Sequence, residues 1–312
     1  AYRMGTERKQ LRGALLLLSA ALIWGVAFVA QSVGMDHVGP CTFTAARNFI
    51  GALVLLPVIA FASHLKKGGN PEEKASDGQR KRLLVGGVVC GILLGSASLL
   101  QQAGIQTTTA GKAGFLTALY IVIVPVLGIF LGKRPGWVVW LAVLLALVGA
   151  YLLSVKGGFS IAWGDLLVIF SALVFSLHIL AVDWASSQVD GIRLSCLQFF
   201  VAGLLSLVLA FLWETPRWSD LLAAWIPLLY TGVVSSGMGY TFQILGQRHM
   251  NPTAASLILS LESVFAALAG WLILQQPLSP RELAGCGLVF VGVILAQLPS
   301  GTKEPSSLDQ KK

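Results

Sequence analysis

Ten separate runs of predominantly apolar residues, each about twenty residues long, limit the folds open to this chain. A helix of that length rises about 30 Å, which matches the hydrocarbon core of a bilayer. The runs cover residues 11–31, 40–63, 83–106, 109–131, 136–154, 164–186, 194–213, 222–246, 252–274 and 280–298. Only 12% of the residues are charged, against about 25% in soluble domains. The pattern predicts an all-α membrane protein with ten transmembrane helices.

The basic residues collect in particular loops, and this distribution explains the net charge of +8 better than a nucleic-acid-binding surface does. When successive loops are assigned to alternate sides of the membrane, 17 of the 22 Lys and Arg residues fall on the side of both termini. Four fall on the other side, and Arg47 lies within a span. By the positive-inside rule, we expect a multi-pass protein of the bacterial inner (plasma) membrane with both termini in the cytoplasm.

The sequence lacks the patterns that indicate an enzyme, a metal site or a cofactor. All four cysteines lie within apolar runs, which indicates neither disulfides nor a tetrahedral metal site. The pair Gly111 and Lys112 lacks the neighbouring residues of a phosphate-binding loop, and neither His-Glu-x-x-His nor Gly-x-Ser-x-Gly occurs. We therefore expect no catalytic residue, no metal, no cofactor and no ATP-driven pump.

The second half of the chain repeats the first. Residues 91–135 align without a gap with residues 233–277 at an offset of 142, and residues 13–51 align with residues 164–202 at an offset of 151. Each half then holds five spans, and this odd number inverts the second half relative to the first. The register pairs Gly13 with Gly164, Trp24 with Phe175, Arg47 with Gln198, Gln101 with Gln243, Gly104 with Gly246 and Tyr120 with Glu262.

The repeat also gives the expected domain boundaries. Residues 1–10 form a cytoplasmic N-terminus, residues 11–154 the first repeat, residues 155–163 an external linker, residues 164–298 the second repeat and residues 299–312 a cytoplasmic tail. In many secondary transporters with inverted repeats, the binding site lies near mid-membrane between the halves, and two related conformations expose it in turn. Some channels share this symmetry, so the repeat alone leaves carrier and channel open.

Several short motifs resemble those of the EamA family within the drug/metabolite transporter superfamily. They are Ala-Leu-Ile-Trp-Gly-Val-Ala-Phe at 21–28, Thr-Ala-Gly-Lys-Ala-Gly-Phe-Leu-Thr-Ala-Leu-Tyr at 109–120, Gly-Lys-Arg-Pro at 132–135, Gly-Asp-Leu-Leu at 164–167 and Leu-Ser-Leu-Glu-Ser-Val-Phe-Ala-Ala at 259–267. The resemblance runs from about Leu11 to Leu298. It implies a central cavity lined mainly by helices one, three, four, six, eight and nine, and passage of amino acids or other small metabolites. Where the family pattern often has proline, this chain has Ile121 and Ser263.

Glu262 and Arg47 are charged residues in the interior of apolar spans, where each needs a partner or a function. Glu262 lies about ten residues into span nine, close to mid-membrane. It suits a proton-coupling site or a site for a substrate amine, and the alternative is a structural hydrogen bond to a neighbouring helix. Arg47 can bind a substrate carboxylate through its planar guanidinium group. We favour a structural pair with an anion such as Glu262 for Arg47, because its charge is permanent.

Aromatic and uncharged polar residues complete the candidate site. Three aromatic residues lie deeper than an interfacial belt and suit amino-acid or cationic cargo, with core packing as the alternative. A histidine in span six suits a switch or one fixed hydrogen bond, and two repeat-related amides suit gates or interhelical hydrogen bonds. The candidate substrate-binding residues are therefore Trp24, Arg47, Gln101, Tyr120, His178, Tyr240 and Gln243, with Glu262 as the proton-coupling residue.

The sequence therefore predicts a secondary transporter that exports amino acids or related small polar metabolites by alternating access, with proton coupling left open. The alternative is a passive facilitator, a channel or a lipid-handling membrane protein of the same fold. The expected partners are a small-molecule substrate and membrane lipids, without nucleic acid.

Overall fold

The computed structural model describes residues 2–67, 76–108, 110–155, 157–158, 160–187, 189–275 and 277–297, and no strand occurs among them. The predicted tail, residues 299–312, lies outside the described residues. The α-helices are α1 Tyr2–Gly34, α2 Pro40–Lys67, α3 Asp77–Ile105, α4 Ala110–Thr117, α5 Tyr120–Phe130, α6 Trp137–Ser154, α7 Trp163–Ser186, α8 Gly191–Trp213, α9 Trp218–Ala223, α10 Trp225–Leu229, α11 Thr241–Gln247, α12 Pro252–Leu259, α13 Glu262–Leu274 and α14 Pro280–Gln297. A π-helix, Tyr230–Tyr240, connects α10 to α11.

Eight helical segments of the described chain are long and apolar enough to cross a membrane, and Trp137–Leu153 is a shorter apolar helix. Helices suit this environment because their backbone hydrogen bonds are made within the segment. Many large apolar side chains face outward, which is unusual for a water-soluble domain, and several polar side chains are buried. Leu53, Phe61, Phe170 and Phe211 are all more than half exposed, whereas Gln198 is fully buried. The chain is therefore an all-helical, multi-pass membrane protein.

Two predicted spans, four and nine, are interrupted at the same place in the repeat. Helix α4 ends at Thr117 and α5 begins at Tyr120, while α12 ends at Leu259 and α13 begins at Glu262. At both breaks a backbone N–H donates to the carbonyl three residues earlier instead of four. Leu119 N–H donates to the Leu116 carbonyl, and Leu261 N–H donates to the Ile258 carbonyl. The spans predicted over 109–131 and 252–274 are therefore present, but each contains a short break that no proline marks.

Predicted span eight, residues 222–246, is also not one regular helix. It contains α10, the π-helix and the start of α11. The π-helix holds three glycines, and small residues are needed there because other helices approach closely. A Cβ added to Gly239 would lie 2.5 Å from the indole nitrogen of Trp24. π-helical turns are rare and often occur at functional sites. Hydropathy alone does not reveal this segment.

Glycine contacts bring helices from the two halves of the chain close together. A Cβ on Gly13 of α1 would lie 2.9 Å from the carbonyl oxygen of Gly246 in α11. In the same way, a Cβ on Gly104 of α3 would lie 2.7 Å from the carbonyl oxygen of Gly164 in α7. The sequence register pairs Gly13 with Gly164 and Gly104 with Gly246, so the two contacts are equivalent in that register. Such small-residue contacts hold membrane helices together.

Helices α6 and α14 offer a test of this packing. A Cβ on Gly285 would lie 2.6 Å from the Gly149 carbonyl oxygen, whereas a Cβ on Gly287 of the same helix would meet nothing within 4 Å. We expect Gly285→Ala to destabilise the protein by about 1–3 kcal/mol, the usual cost of overpacking. Gly287→Ala is the matched control and should be neutral or slightly stabilising, because alanine favours helix. Thermal unfolding in detergent measures both, and equal melting temperatures would contradict the expected contact.

Candidate functional site

A central cavity lies between segments of both halves of the chain. It has an empty volume of about 460 Å³, which includes space open to solvent. The lining residues are Trp24, Ala27, Phe28, Gln31, Arg47, Gln101, Thr117, Tyr120, Phe175, Ile179, Ser235, Tyr240, Gln243, Leu259 and Glu262.

The lining fits the arrangement implied by the family resemblance. It comes from predicted spans one, three, four, six, eight and nine, with Arg47 added from span two. Seven of the eight candidate residues line this one cavity: Trp24, Arg47, Gln101, Tyr120, Tyr240, Gln243 and Glu262. Residues separated by up to 238 positions in the sequence are thus brought together.

Glu262 and Tyr120 form a buried hydrogen bond on the cavity wall. The Tyr120 hydroxyl donates to Glu262 Oε1 at 2.9 Å, and both residues are no more than 3% exposed. Each is the first residue of its helix, directly after a break. A carboxylate in the first turn of a helix is favoured by the helix dipole, so the break at residues 260–261 creates a position suited to the Glu262 charge.

Arg47 is buried without an acidic partner. It is 4% exposed, and it donates from Nε to Ser236 Oγ at 3.2 Å and from NH2 to Ser235 Oγ at 2.9 Å. Within the described residues, no carboxylate lies within the 4.0 Å of an ion pair with it. The ion pair favoured from the sequence is therefore not formed, because the segment that faces Arg47 is the π-helix with its neutral serines. A buried cation with only neutral partners retains a strong attraction for an anion.

Aromatic rings form another part of the wall. Trp24 and Tyr240 pack with ring centroids 4.6 Å apart and planes tilted by 48°. The Trp24 indole N–H donates to the backbone carbonyl of Ser235 at 3.1 Å, which fixes the ring against the π-helix. Phe199 packs edge-on against Tyr240 at 6.0 Å from behind. The rings give the cavity an apolar face on which a small molecule can pack.

His178 does not line the cavity. Its ring is fully buried and lies behind Tyr240, at 6.1 Å between ring centroids. Its Nε2 is 2.9 Å from Gln198 Oε1, and Gln198 is the residue that the repeat pairs with Arg47. The predicted single fixed hydrogen bond of His178 is therefore present, and the ring is separated from any cargo by the tyrosine.

A network of amides on the first half includes two residues that the sequence did not single out, Gln31 and Gln102. Gln31 Nε2 donates to Gln101 Oε1 at 3.0 Å and to Gln102 Oε1 at 2.9 Å. Gln101 Nε2 in turn donates to the Thr117 hydroxyl at 3.0 Å. Both amides lie within apolar spans, so the criterion that identified Gln101 also applies to them. They hold α1, α3 and α4 together at the cavity wall.

An ion pair connects α7 to the α4 region at one end of the bundle. Lys112 Nζ lies 2.6 Å from Asp165 Oδ2, and Asp165 is only 1% exposed. The same carboxylate accepts from the Thr108 hydroxyl at 2.7 Å and from the Ala162 backbone N–H at 2.7 Å. Lys112 also donates to the Ser160 carbonyl. We call this Lys112–Asp165 contact the end ion pair.

Comparison with known proteins gives a consistent result. The model of the EamA-like transporter family matches residues 11–155 and 162–298. An uncharacterized transporter of Archaeoglobus fulgidus is 30% identical over 93% of this chain and 87% of its own length. The threonine/homoserine exporter RhtA of Escherichia coli is 27% identical over 88% of each chain.

A solved crystal structure has the same fold. It superposes with a TM-score of 0.72 at 19% sequence identity and covers 92% of this chain and 96% of the other. The two matched segments of the family model correspond closely to the two halves of the internal repeat, and the named relatives are transporters. The chain belongs to the EamA-like transporter family.

Proposed function

We propose that the protein is a secondary carrier that exports amino acids or related small polar metabolites by alternating access. The observation that carries this proposal is the placement of a buried cation, Arg47, and a buried carboxylate, Glu262, on the walls of one cavity. An amino acid has a carboxylate and an ammonium group that match these two charges. The similarity to a threonine/homoserine exporter supports the same class of cargo.

We further propose ten spans arranged as two inverted halves. The shorter helix α6 and the segment from α9 to α11 add two spans to the eight long apolar helices. Residues that the repeat pairs line the cavity together: Trp24 with Phe175, Gln101 with Gln243, Thr117 with Leu259 and Tyr120 with Glu262. The equivalent glycine contacts described above support the same symmetry. A site shared by both halves is what alternating access requires.

The two ends of this bundle are closed by different contacts. If both termini lie in the cytoplasm, as the basic residues favour, the end ion pair lies at the outer face. The repeat pairs Lys112 with Ala254 and Asp165 with Ala14, so the cytoplasmic end has no equivalent charges. We infer that opening the outer end separates Lys112 from Asp165, a buried ion pair for which the repeat gives no counterpart at the inner end.

Proton coupling follows from competition at one carboxylate. The cargo ammonium group and a proton both neutralise Glu262, so the two cannot occupy it together. A carrier that exchanges one for the other moves protons inward as the cargo moves outward.

Glu262→Gln tests the coupling. We expect the variant to lose stimulation of L-threonine transport by a pH gradient in proteoliposomes while it retains counterflow, because an amide cannot exchange a proton. Glu282→Gln is the matched control, since Glu282 is buried at the start of α14 outside the cavity lining. Unchanged pH dependence in Glu262→Gln would exclude this role.

Single-channel currents or lipid movement without saturable counterflow would indicate the channel or lipid-handling alternative.

Arg47→Gln tests carboxylate recognition. Loss of a charge-assisted contact should weaken binding of L-threonine by about 1.5–3 kcal/mol, or about ten- to a hundredfold in Kd. Binding of the corresponding amino alcohol, which lacks the carboxylate, should change much less. Calorimetry on purified protein measures both ligands. Arg193→Gln, at the exposed start of α8, is the control, and equal losses for the two ligands would contradict the role.

Asp165→Asn tests the outer end. Without the carboxylate charge, the outer end should open more often. A Thr117→Cys reporter on the cavity wall, in a background free of native cysteines, should then react several-fold faster with an impermeant thiol reagent added outside. The control is Asp183→Asn, because Asp183 pairs with Lys133 at 3.5 Å near the other end of α7. Equal reaction rates in both variants would overturn the assignment.

A further inference from the structure

A chain of three polar groups runs from the backbone of α7 to the cavity wall. The Ile179 carbonyl accepts from Gln247 Nε2 at 3.0 Å, and Gln247 Oε1 accepts from Gln243 Nε2 at 2.8 Å. A backbone carbonyl can only accept a hydrogen bond. Gln247 must therefore turn its amino group to Ile179 and its oxygen to Gln243. Gln243 must then use its own amino group for Gln247.

This order leaves the oxygen of Gln243 as the free end of the chain. Gln243 lines the cavity and is 1% exposed, and its Oε1 has no hydrogen-bond partner among the described residues. A buried acceptor without a donor is costly, and most such groups in proteins are paired. The Ile179 carbonyl permits only one orientation of the chain, so Oε1 is the Gln243 atom without a partner.

The repeat-related amide is different. Gln101 uses both ends, since Oε1 accepts from Gln31 and Nε2 donates to Thr117. The repeat pairs Gln247 with Ile105, so no such polar chain orients Gln101. Of these two repeat-related amides, only Gln243 has an oxygen without a hydrogen-bond donor. Gln247, which occurs only in the second half, determines which way the Gln243 amide points.

We propose that Gln243 Oε1 accepts a hydrogen bond from a protonated amine of the cargo, and that Gln247 is the positioning residue that keeps this oxygen available. The inference rests on the proposed function and narrows it to cargo that bears an amine. An ammonium group has three N–H donors, so Glu262 and Gln243 can each accept one. The amide does not titrate, so Gln243 Oε1 remains an acceptor at every pH, whereas Glu262 exchanges the amine for a proton.

Matched ligands separate this role from simple packing. L-Threonine, L-alanine and L-phenylalanine differ from 3-hydroxybutyrate, propionate and 3-phenylpropionate, respectively, by the amine alone. Binding to purified full-length protein is measured by calorimetry at one pH. We expect the wild type to prefer each amino acid that binds over its deaminated partner. Gln243→Leu should reduce that preference about tenfold or more by weakening the amino acid alone.

Two further variants keep the test decisive if Gln243→Leu does not fold. Gln243→Glu in its protonated form donates to Gln247 Oε1 through its hydroxyl and retains a carbonyl acceptor, so it should retain the preference. Gln247→Leu frees the Gln243 amide to turn, and it should reduce the preference while Gln243 itself is intact. Gln275→Leu, at an exposed position beyond α13, is the control for the same substitution and should leave the preference unchanged.

The outcomes distinguish this inference from the proposed function. Binding of an amino acid by the wild type with an unchanged preference in Gln243→Leu and Gln247→Leu overturns the role of Gln243 alone. Equal weakening of both ligands in a pair also overturns it, because that result indicates a packing role. Absence of binding by all three amino acids overturns both the inference and the proposed cargo class.

Discussion

Close backbone contact between glycines is the constraint on which this structure depends. Lipid tails are as apolar as leucine side chains, so a bilayer gives helices no hydrophobic reason to associate. Contact has to come from close packing, and at Gly13 with Gly246 the two backbones meet with no side chain between them. The same is true of Gly149 with Gly285. These contacts set the spacing of the helices, and the spacing in turn fixes the size of the central cavity.

Three unusual buried polar groups line the central cavity. Its walls combine a cation held by two serines, a carboxylate held by one tyrosine and an amide oxygen without a donor. For the stability of the fold alone, an apolar residue in place of each of these groups would often be neutral or stabilising. Their placement at helix breaks and beside a π-helix shows that the backbone departs from regular geometry where the polar groups are.

Much of this arrangement follows from the sequence, and the remainder has identifiable causes. The apolar runs located most of the helices, and the choice of polar residues within spans found seven of the cavity residues. The breaks before Tyr120 and Glu262 were missed because no proline marks them. The serines that bind Arg47 were missed because a π-helix has no hydropathy signature. His178 was predicted to line the cavity and does not. In a helix that is apolar on all sides, the packing of the surrounding helices decides which side faces the cavity, and the sequence of that helix alone does not show it.

The contact between Tyr120 and Glu262 has a consequence for how such a protein can be built. The repeat makes these two positions equivalent, and they touch. In a dimer of two identical five-helix chains, equivalent positions in contact would carry the same residue. Two glutamates there would repel each other or share one proton, and two tyrosines would provide no charge. Joining both halves in one polypeptide removes this restriction. A single carboxylate at such a contact between two related halves is therefore available to a fused chain but not to a homodimer.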